Sequence, residues 1–249
     1  MPLSKDQILR IPLIPVLAAQ ALYVRSIAQK LPEPPGPRQG HAGAGEKLSL
    51  LILGDSSAAG VGASTQANAL SGQLVEHLSQ RFDMDWHLLA ETGATTKSNL
   101  GKLPDLPPTR FEVAVLVHGV NDTTRLTSKA TFKARQTRLM EHLRAQHGTQ
   151  LFVLSGLPPM HHFPLLPQPL RWVLGCHAER LDRALSELAR DRGDCTHLAL
   201  DLPYEPRFIA QDGFHPSEEA YREWAHLVAD TLLECLSDEA QMPCLGVRP

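Results

Sequence analysis

The sequence predicts an α/β fold with a parallel sheet and helices on both faces, and three observations predict it. Short apolar runs and helix-periodic segments alternate about five times across residues 46–237. The runs are apolar on both faces, as in strands covered from two sides. A chain of 249 residues suits one such domain, since single α/β domains commonly reach about 200–250 residues.

The elements follow in order. Leu48–Leu53 (LSLLIL) ends at Gly54 and reads as a buried strand, and residues 67–82 place Leu70, Leu74 and Leu78 on one helix face. Trp86–Ala90 reads as a second strand. Val113–Val117 (VAVLV) is the strongest, because β-branched side chains fit a pleated surface. Residues 128–147 are charged and helical, and Leu151–Leu154 is a fourth strand. Residues 170–191 form a helix with Leu174, Leu181, Leu185 and Leu188 on one side. His197–Leu200 is a weak fifth strand, and a last helix runs from about Ser217 to Leu236. Residues 238–249 are read as a C-terminal tail.

Residues 1–31 stand apart as an apolar N-terminal helix. Its apolar run, residues 11–24, is fourteen residues long, whereas a spanning helix needs roughly 20. Three readings fit it. One is a secretory signal, for which Ala19-Gln20-Ala21 resembles a cleavage site but Pro12, Pro15 and Asp6 are unfavourable. The second is a helix lying on a membrane, with peripheral contact through residues 8–30. The third is a helix packed on the body of the protein or on a partner subunit. A cytoplasmic or membrane-associated location is favoured over a secreted or periplasmic one. Residues 32–45 (PEPPGPRQGHAGAG) carry four prolines and four glycines, which cannot continue a helix or a central strand. They read as a linker, so the main domain is expected at residues 46–237.

Composition excludes several classes. The net charge of −3 lacks the basic excess of a general nucleic-acid binder. Cys176, Cys195, Cys235 and Cys244 form no CxxC pair, which disfavours a zinc ribbon or a thioredoxin-like motif. There is no HExxH helix and no EF-hand loop, so no catalytic metal and no cofactor are expected. Oligomeric state is left open.

Right-handed crossovers place the C-terminal ends of parallel strands along one edge, where open α/β sheets bind ligands. Four small, polar, turn-forming pieces lie there. Gly54-Asp55-Ser56-Ser57-Ala58-Ala59-Gly60-Val61-Gly62 follows the first strand, and Glu91-Thr92-Gly93-Ala94 the second. His118-Gly119-Val120-Asn121-Asp122 follows the third, and Asp212-Gly213-Phe214-His215-Pro216 precedes the last helix. The first piece lacks both the GxGxxG spacing and a Walker lysine, which weighs against a nucleotide site.

In this order the four pieces resemble the Ser, Gly, Asn and His blocks of the SGNH hydrolases, the GDSL esterase/lipase family. The resemblance spans roughly residues 47–236. It departs at Ser57, where GDSS stands for GDSL, a position without chemistry. It implies a flavodoxin-like α/β/α three-layer sandwich with a parallel sheet of about five strands. It also implies a serine hydrolase cleaving carboxylic ester or thioester bonds, with a small-molecule or lipid-like ester as substrate. A lysophospholipase, a thioesterase or a carbohydrate deacetylase would use the same site. A non-catalytic flavodoxin-like binding module is the remote alternative, and it would lack a member of the triad.

On this resemblance Ser56 is the nucleophile, a weak one until an adjacent base takes its proton. Ser57 is the neighbour to tell apart from it. His215 is the base and then the acid, a role imidazole suits near neutral pH. Asp212, three residues earlier, orients and stabilises the imidazolium; Asp-Gly is also a common turn pair. The N–H of Ser56, the N–H of Gly93 and the Asn121 amide form the oxyanion hole. Read locally, Gly93 is equally a strand-end glycine and Asn121 a left-handed turn residue. Asp55 and Asp122 are expected to bind loop backbone. The apolar, proline-rich loop 157–170 follows the fourth strand. Met160, Phe163, Leu165 and Leu166 in it, with Phe214, are candidates for an acyl pocket, or else pack on a neighbouring helix.

Overall fold

A computed structural model describes residues 4–200, 202–203 and 205–239. Cys244 and the tail beyond residue 239 lie outside the described residues. Among the described residues six strands form one sheet: β1 (Gln39–Ala42), β2 (Glu46–Gly54), β3 (Phe82–Ala90), β4 (Val113–Val117), β5 (Leu151–Ser155) and β6 (Cys195–Leu198). Their order is β1-β3-β2-β4-β5-β6. All neighbours pair in parallel except β1, which runs antiparallel on the outer edge of β3. The five parallel strands thus take the flavodoxin-like order, whose ligand site lies where the winding reverses, here between β2 and β4.

Among the described residues seven α-helices surround the sheet: α1 (Lys5–Ile27), α2 (Leu70–Leu78), α3 (Thr96–Lys102), α4 (Val120–Thr124), α5 (Lys129–His147), α6 (Leu170–Arg190) and α7 (Glu218–Glu239). The alternation of β2 shows how the layers form. Leu48, Leu50 and Ile52 pack with Leu74 of α2 and Trp224 of α7, whereas Leu51 and Leu53 face Leu139 of α5 and Leu181 of α6. Period-two alternation sends successive side chains to opposite faces, and both faces are covered. Every residue of β4 and of β5 is therefore buried.

Several boundaries differ from the sequence reading for physical reasons. β3 begins at Phe82 rather than Trp86, because Phe82, Met84 and Trp86 point inward while Asp83 and Asp85 alternate outward. The outward aspartates meet His41, and Asp83 also meets Lys47. The short α3 escaped the sequence reading although its start is encoded. Thr95 Oγ1 accepts from the Ser98 N–H, and the Ser98 hydroxyl accepts from the Thr95 N–H, a reciprocal cap.

The apolar N-terminal helix extends through Pro12 and Pro15 to 23 residues. By length and composition alone it could cross a bilayer, so the fourteen-residue run understates it. It docks on α6 through Asp6, whose carboxylate accepts from Arg180 Nη2 at 2.7 and 2.8 Å. Gln20 bridges to the start of α6, accepting from the Leu170 N–H at 3.0 Å and donating to the Gln168 carbonyl.

The segment read as a linker also makes specific contacts. β1 lies within it, at an edge, where an otherwise unsuitable stretch can add to a sheet. Glu33 Oε1 accepts from the Thr92 N–H and hydroxyl at 2.7 and 2.8 Å. Buried Gln66 donates to the carbonyls of Pro34 and Ala59 at 3.3 and 2.9 Å, and its N–H donates to Pro35. At about 0.5–1.5 kcal/mol net per hydrogen bond, these contacts add up to a few kcal/mol. A chain shortened to begin at residue 46 is therefore expected to be about 3 kcal/mol less stable than one beginning at residue 32. Urea midpoints of the two, with unchanged slope, check this.

Candidate active site

Asp55 and Ser56 leave the end of β2 in a tight loop that only small residues allow. A methyl group on Gly54 would fall 2.5 Å from the Val117 carbonyl oxygen and 2.6 Å from Ala58 Cβ. The loop is held by the Val61 N–H donating to Ser56 O (3.0 Å) and by the buried Tyr221 hydroxyl donating to Val61 O (2.7 Å). At Gly62, with φ +106°, a side chain would meet the Pro216 carbonyl oxygen at 2.2 Å. That close approach seats the Ser56 loop directly against the turn that carries His215.

The turn itself is built by Asp212. Its Oδ1 accepts from the N–H groups of Phe214 and His215, both at 3.0 Å, while its Oδ2 lies 2.5 Å from His215 Nδ1. Across the ring, His215 Nε2 lies 2.9 Å from Ser56 Oγ. The structure thus brings Ser56, His215 and Asp212 into one hydrogen-bonded chain, and Ser57 has no place in it. Burial alone raises the Asp212 carboxyl. The His215 ring and N–H bonds, its charge and the Phe214 N–H outweigh burial, so the pKa falls below the ordinary carboxylate value.

Gly93 lies in the turn after β3 with φ +80° and open space where a side chain would stand. Among the described residues no group accepts from the N–H of Gly93 or of Ser56. Asn121 sits in α4, entered through Gly119 at φ +140°, where any side chain would overlap Leu157. Its amide is 3.4 Å from Asp55 Oδ2, which links it to the Ser56 loop.

A buried polar layer lies behind these residues, and the sequence reading saw only part of it. Asp55 Oδ1 accepts from the Ser57 N–H at 3.0 Å, and Asp122 Oδ2 from the Thr96 N–H at 2.9 Å. Asp55 therefore binds loop backbone, as read, whereas Asp122 binds the first residue of α3. Not foreseen were Asn99 and His118. The Asn99 amide donates to the Gly54 carbonyl and to His118 Nε2, each at 2.8 Å. His118 Nδ1 has no hydrogen-bond partner, and burial lowers this imidazole to about 4 although Asp122 opposes the shift. The Thr95–Ser98 cap was the available signal for this layer, since it implies a helix that brings Thr96 and Asn99 inward.

Two apolar-walled cavities flank the His215 turn. The first runs under the strand ends, past His118, Phe163, Phe208, Phe214 and Trp224. The second lies between α1 and α6, past Val24, Leu165, Leu166, Leu174 and Phe214, and holds about 340 Å³. Small-molecule sites commonly hold about 300–1,000 Å³. Phe214 borders both cavities and makes edge contacts with Phe163 (5.0 Å) and the His215 ring (5.3 Å). Of the candidate pocket residues, Met160 borders neither cavity. It is fully buried in a turn against α6, the packing role weighed for that loop. Among the described residues no group of three or more His, Cys, Asp or Glu is placed to hold a metal ion.

Burial also raises Asp55 from 3.8 to about 6, with Asp122 adding and the Ser57, His215 and Asn121 contacts opposing. Between these values the folded state binds more protons than the unfolded one, so this group's stabilising contribution is lost as pH rises from about 4 to about 6. His118, lowered from 6.5 to about 4, has the opposite sign: stability rises with pH over that interval. The two slopes oppose each other, so the test is a difference. Asp55→Asn minus wild type is expected to become more stabilising by about 3 kcal/mol between pH 4 and pH 7, on the order of 1.36 kcal/mol per unit. Urea titrations at a series of pH values check it; a pH-independent difference would mean that Asp55 titrates normally.

Residues 52–223 match the model of the GDSL-like Lipase/Acylhydrolase family. No curated protein matches in sequence. Among solved structures, TesA superposes with a TM-score of 0.60 at 21% identity, covering 75% of this chain and 99% of its own. The psychrotrophic esterase EstA from Pseudoalteromonas sp. gives 0.57 at 18% identity, covering 76% and 98%. The lipase/acylhydrolase from Enterococcus faecalis gives 0.56 at 17% identity, covering 74% and 95%. Identities this low speak to fold alone, but the family model spans most of the chain, including the Ser56 loop and the His215 turn. The chain belongs to the GDSL-like lipase/acylhydrolase family and is a hydrolase acting on esters.

Proposed function

We propose that this chain cleaves carboxylic esters with apolar acyl groups through an acyl-enzyme on Ser56. The observation that carries the reading is the hydrogen-bonded chain from Ser56 Oγ through His215 to Asp212, between two apolar cavities. Ser56 Oγ attacks the carbonyl carbon while its proton passes to His215 Nε2. The tetrahedral oxyanion is met by the free N–H groups of Ser56 and Gly93 and by the second N–H of the Asn121 amide, whose first is directed to Asp55. The imidazolium then protonates the alkoxide leaving group, and the alcohol departs. His215 then takes a proton from a water that attacks the acyl carbon, and the proton passes to Ser56 Oγ as its bond to carbon breaks, releasing the carboxylic acid and regenerating the Ser56 hydroxyl. Asp212, held ionised by its contacts, keeps His215 in the tautomer that accepts at Nε2 and stabilises the imidazolium. Thioesters fit the same sequence of steps. The apolar walls favour fatty acyl esters over acetylated carbohydrates. The intact triad speaks against a binding module that has lost its chemistry.

Ser56→Ala is expected to abolish hydrolysis of p-nitrophenyl esters while leaving the circular dichroism melt in place. Ser57→Ala should retain substantial turnover. The reverse pattern would move the nucleophile to Ser57.

Gly62→Ala tests the seating of the two loops. The added methyl must push the Ser56 loop off Pro216, and a displacement near 1 Å costs on the order of 10²-fold in rate. The expected result is a fall of that size in kcat with KM little changed. Wild-type kcat in Gly62→Ala would show that this packing does not set the Ser56–His215 distance.

A further inference from the structure

The outward face of α1 is the least ordinary surface of the molecule. Eight of the nine large apolar side chains that stand exposed among the described residues are on this helix; the ninth is Leu126. Ile11 is 64% exposed, Ile14 58% and Leu22 68%. The polar side chains run the other way: Asp6 is buried against Arg180 and Arg10, and Gln20 is spent on α6. A helix that turns its carboxylate and amide inward and its isoleucines outward is built for apolar surroundings. Lys5, Arg25 and Lys30 are exposed at its ends, and the one acidic residue of the segment is neutralised. That charge pattern suits an anionic surface.

The inward face of the same helix has a second role. Ala21, Val24, Arg25 and Ala28 form one wall of the cavity that reaches Phe214, Asp212 and His215. One element therefore carries the apolar outer surface and bounds the path to the candidate nucleophile's base.

We propose that α1 lies in the interface of an anionic lipid membrane, and that the cavity behind it takes the acyl chain of a long-chain ester drawn from that membrane. The substrate part rests on the ester-hydrolase reading above. One feature places α1 in the interface rather than across the bilayer: the Asp6–Arg180 pair and the Gln20 bridge hold the helix along the body of the protein. An apolar chain leaving the leaflet past α1 then meets a cavity walled mainly by leucine, valine, alanine and phenylalanine, with Asp212 and His215 at its inner end. Arg25 at its edge faces the headgroup.

The test uses the full chain. It is expected to float with phosphatidylcholine vesicles that contain phosphatidylglycerol, less so without it, and to be released by high salt. Ile11→Glu with Ile14→Glu, both at exposed positions, should abolish flotation and leave hydrolysis of p-nitrophenyl acetate in solution unchanged. Ala21→Trp, which fills the cavity, should lower the ratio of dodecanoyl to acetyl ester turnover by about tenfold or more. The proposal is overturned if the chain does not float, or if the double variant floats equally well. It is overturned too if sedimentation shows a dimer that the double variant dissolves, since a second copy then covers the helix. A mature chain that begins near Leu22 would make the segment a cleaved signal and would also overturn it. An unchanged acyl ratio in Ala21→Trp removes the cavity as the acyl route. A chain that floats but turns over no ester would instead sink the hydrolase reading.

Discussion

The hydrogen bond between His215 Nε2 and Ser56 Oγ joins two loops 159 residues apart, and its 2.9 Å leaves little tolerance for either. The bond itself contributes little to holding them together. That is done by the backbone packing around it: Gly62 against the Pro216 carbonyl, the Tyr221 hydroxyl on the Val61 carbonyl, and the Gly54 backbone pressed on Val117. Glu218, at the start of α7, adds an outer tie by accepting from the Ser64 N–H and hydroxyl at 2.8 and 2.6 Å. The sheet explains why these loops meet at all. β2 and β4 are adjacent, their crossovers leave on opposite sides, and the crevice between their C-terminal ends holds the Ser56 loop and α4.

Behind that crevice the interior is unusually polar for a domain whose strands are otherwise leucine and valine. Asp55, Asp122, His118 and Asn99 are all buried. Each is tied to a backbone group or to another member, so that most of the cost of burying polar atoms is offset. The arrangement fixes α3 and α4 relative to the end of β2. It thereby fixes Asn121 relative to Ser56 without a direct bond between them. Neutral His118 and the raised carboxyl of Asp55 mark the low polarity of the layer, in which a preorganised donor acts more strongly than in water.

Much of this was legible in the residues. The buried strands announced themselves because β2, β4 and β5 are covered on both faces and so carry continuous apolar runs. The four turn-forming pieces marked the edge where the site lies. The parts that escaped share a cause: their structure is decided by tertiary partners rather than by local pattern. β1 adds to the edge of β3 from a proline- and glycine-rich stretch. The first half of β3 carries aspartates on its solvated face, where they meet Lys47 and His41. Loop 157–170 was open between pocket and packing: Met160 is core, while Phe163, Leu165 and Leu166 border cavities. The docking of α1 depends on Arg180, which no reading of the first thirty residues could supply.

The central claim is that Ser56 is the nucleophile made reactive by His215 and Asp212. Reaction of the full chain with an alkyl fluorophosphonate, followed by peptide mass spectrometry, tests it most directly, because only an activated serine displaces fluoride rapidly. The account predicts one adduct, on Ser56, formed rapidly in the wild type. It predicts that labelling slows by orders of magnitude in His215→Ala and that no adduct forms in Ser56→Ala. An adduct on Ser57, or equal labelling with and without the imidazole, would contradict it.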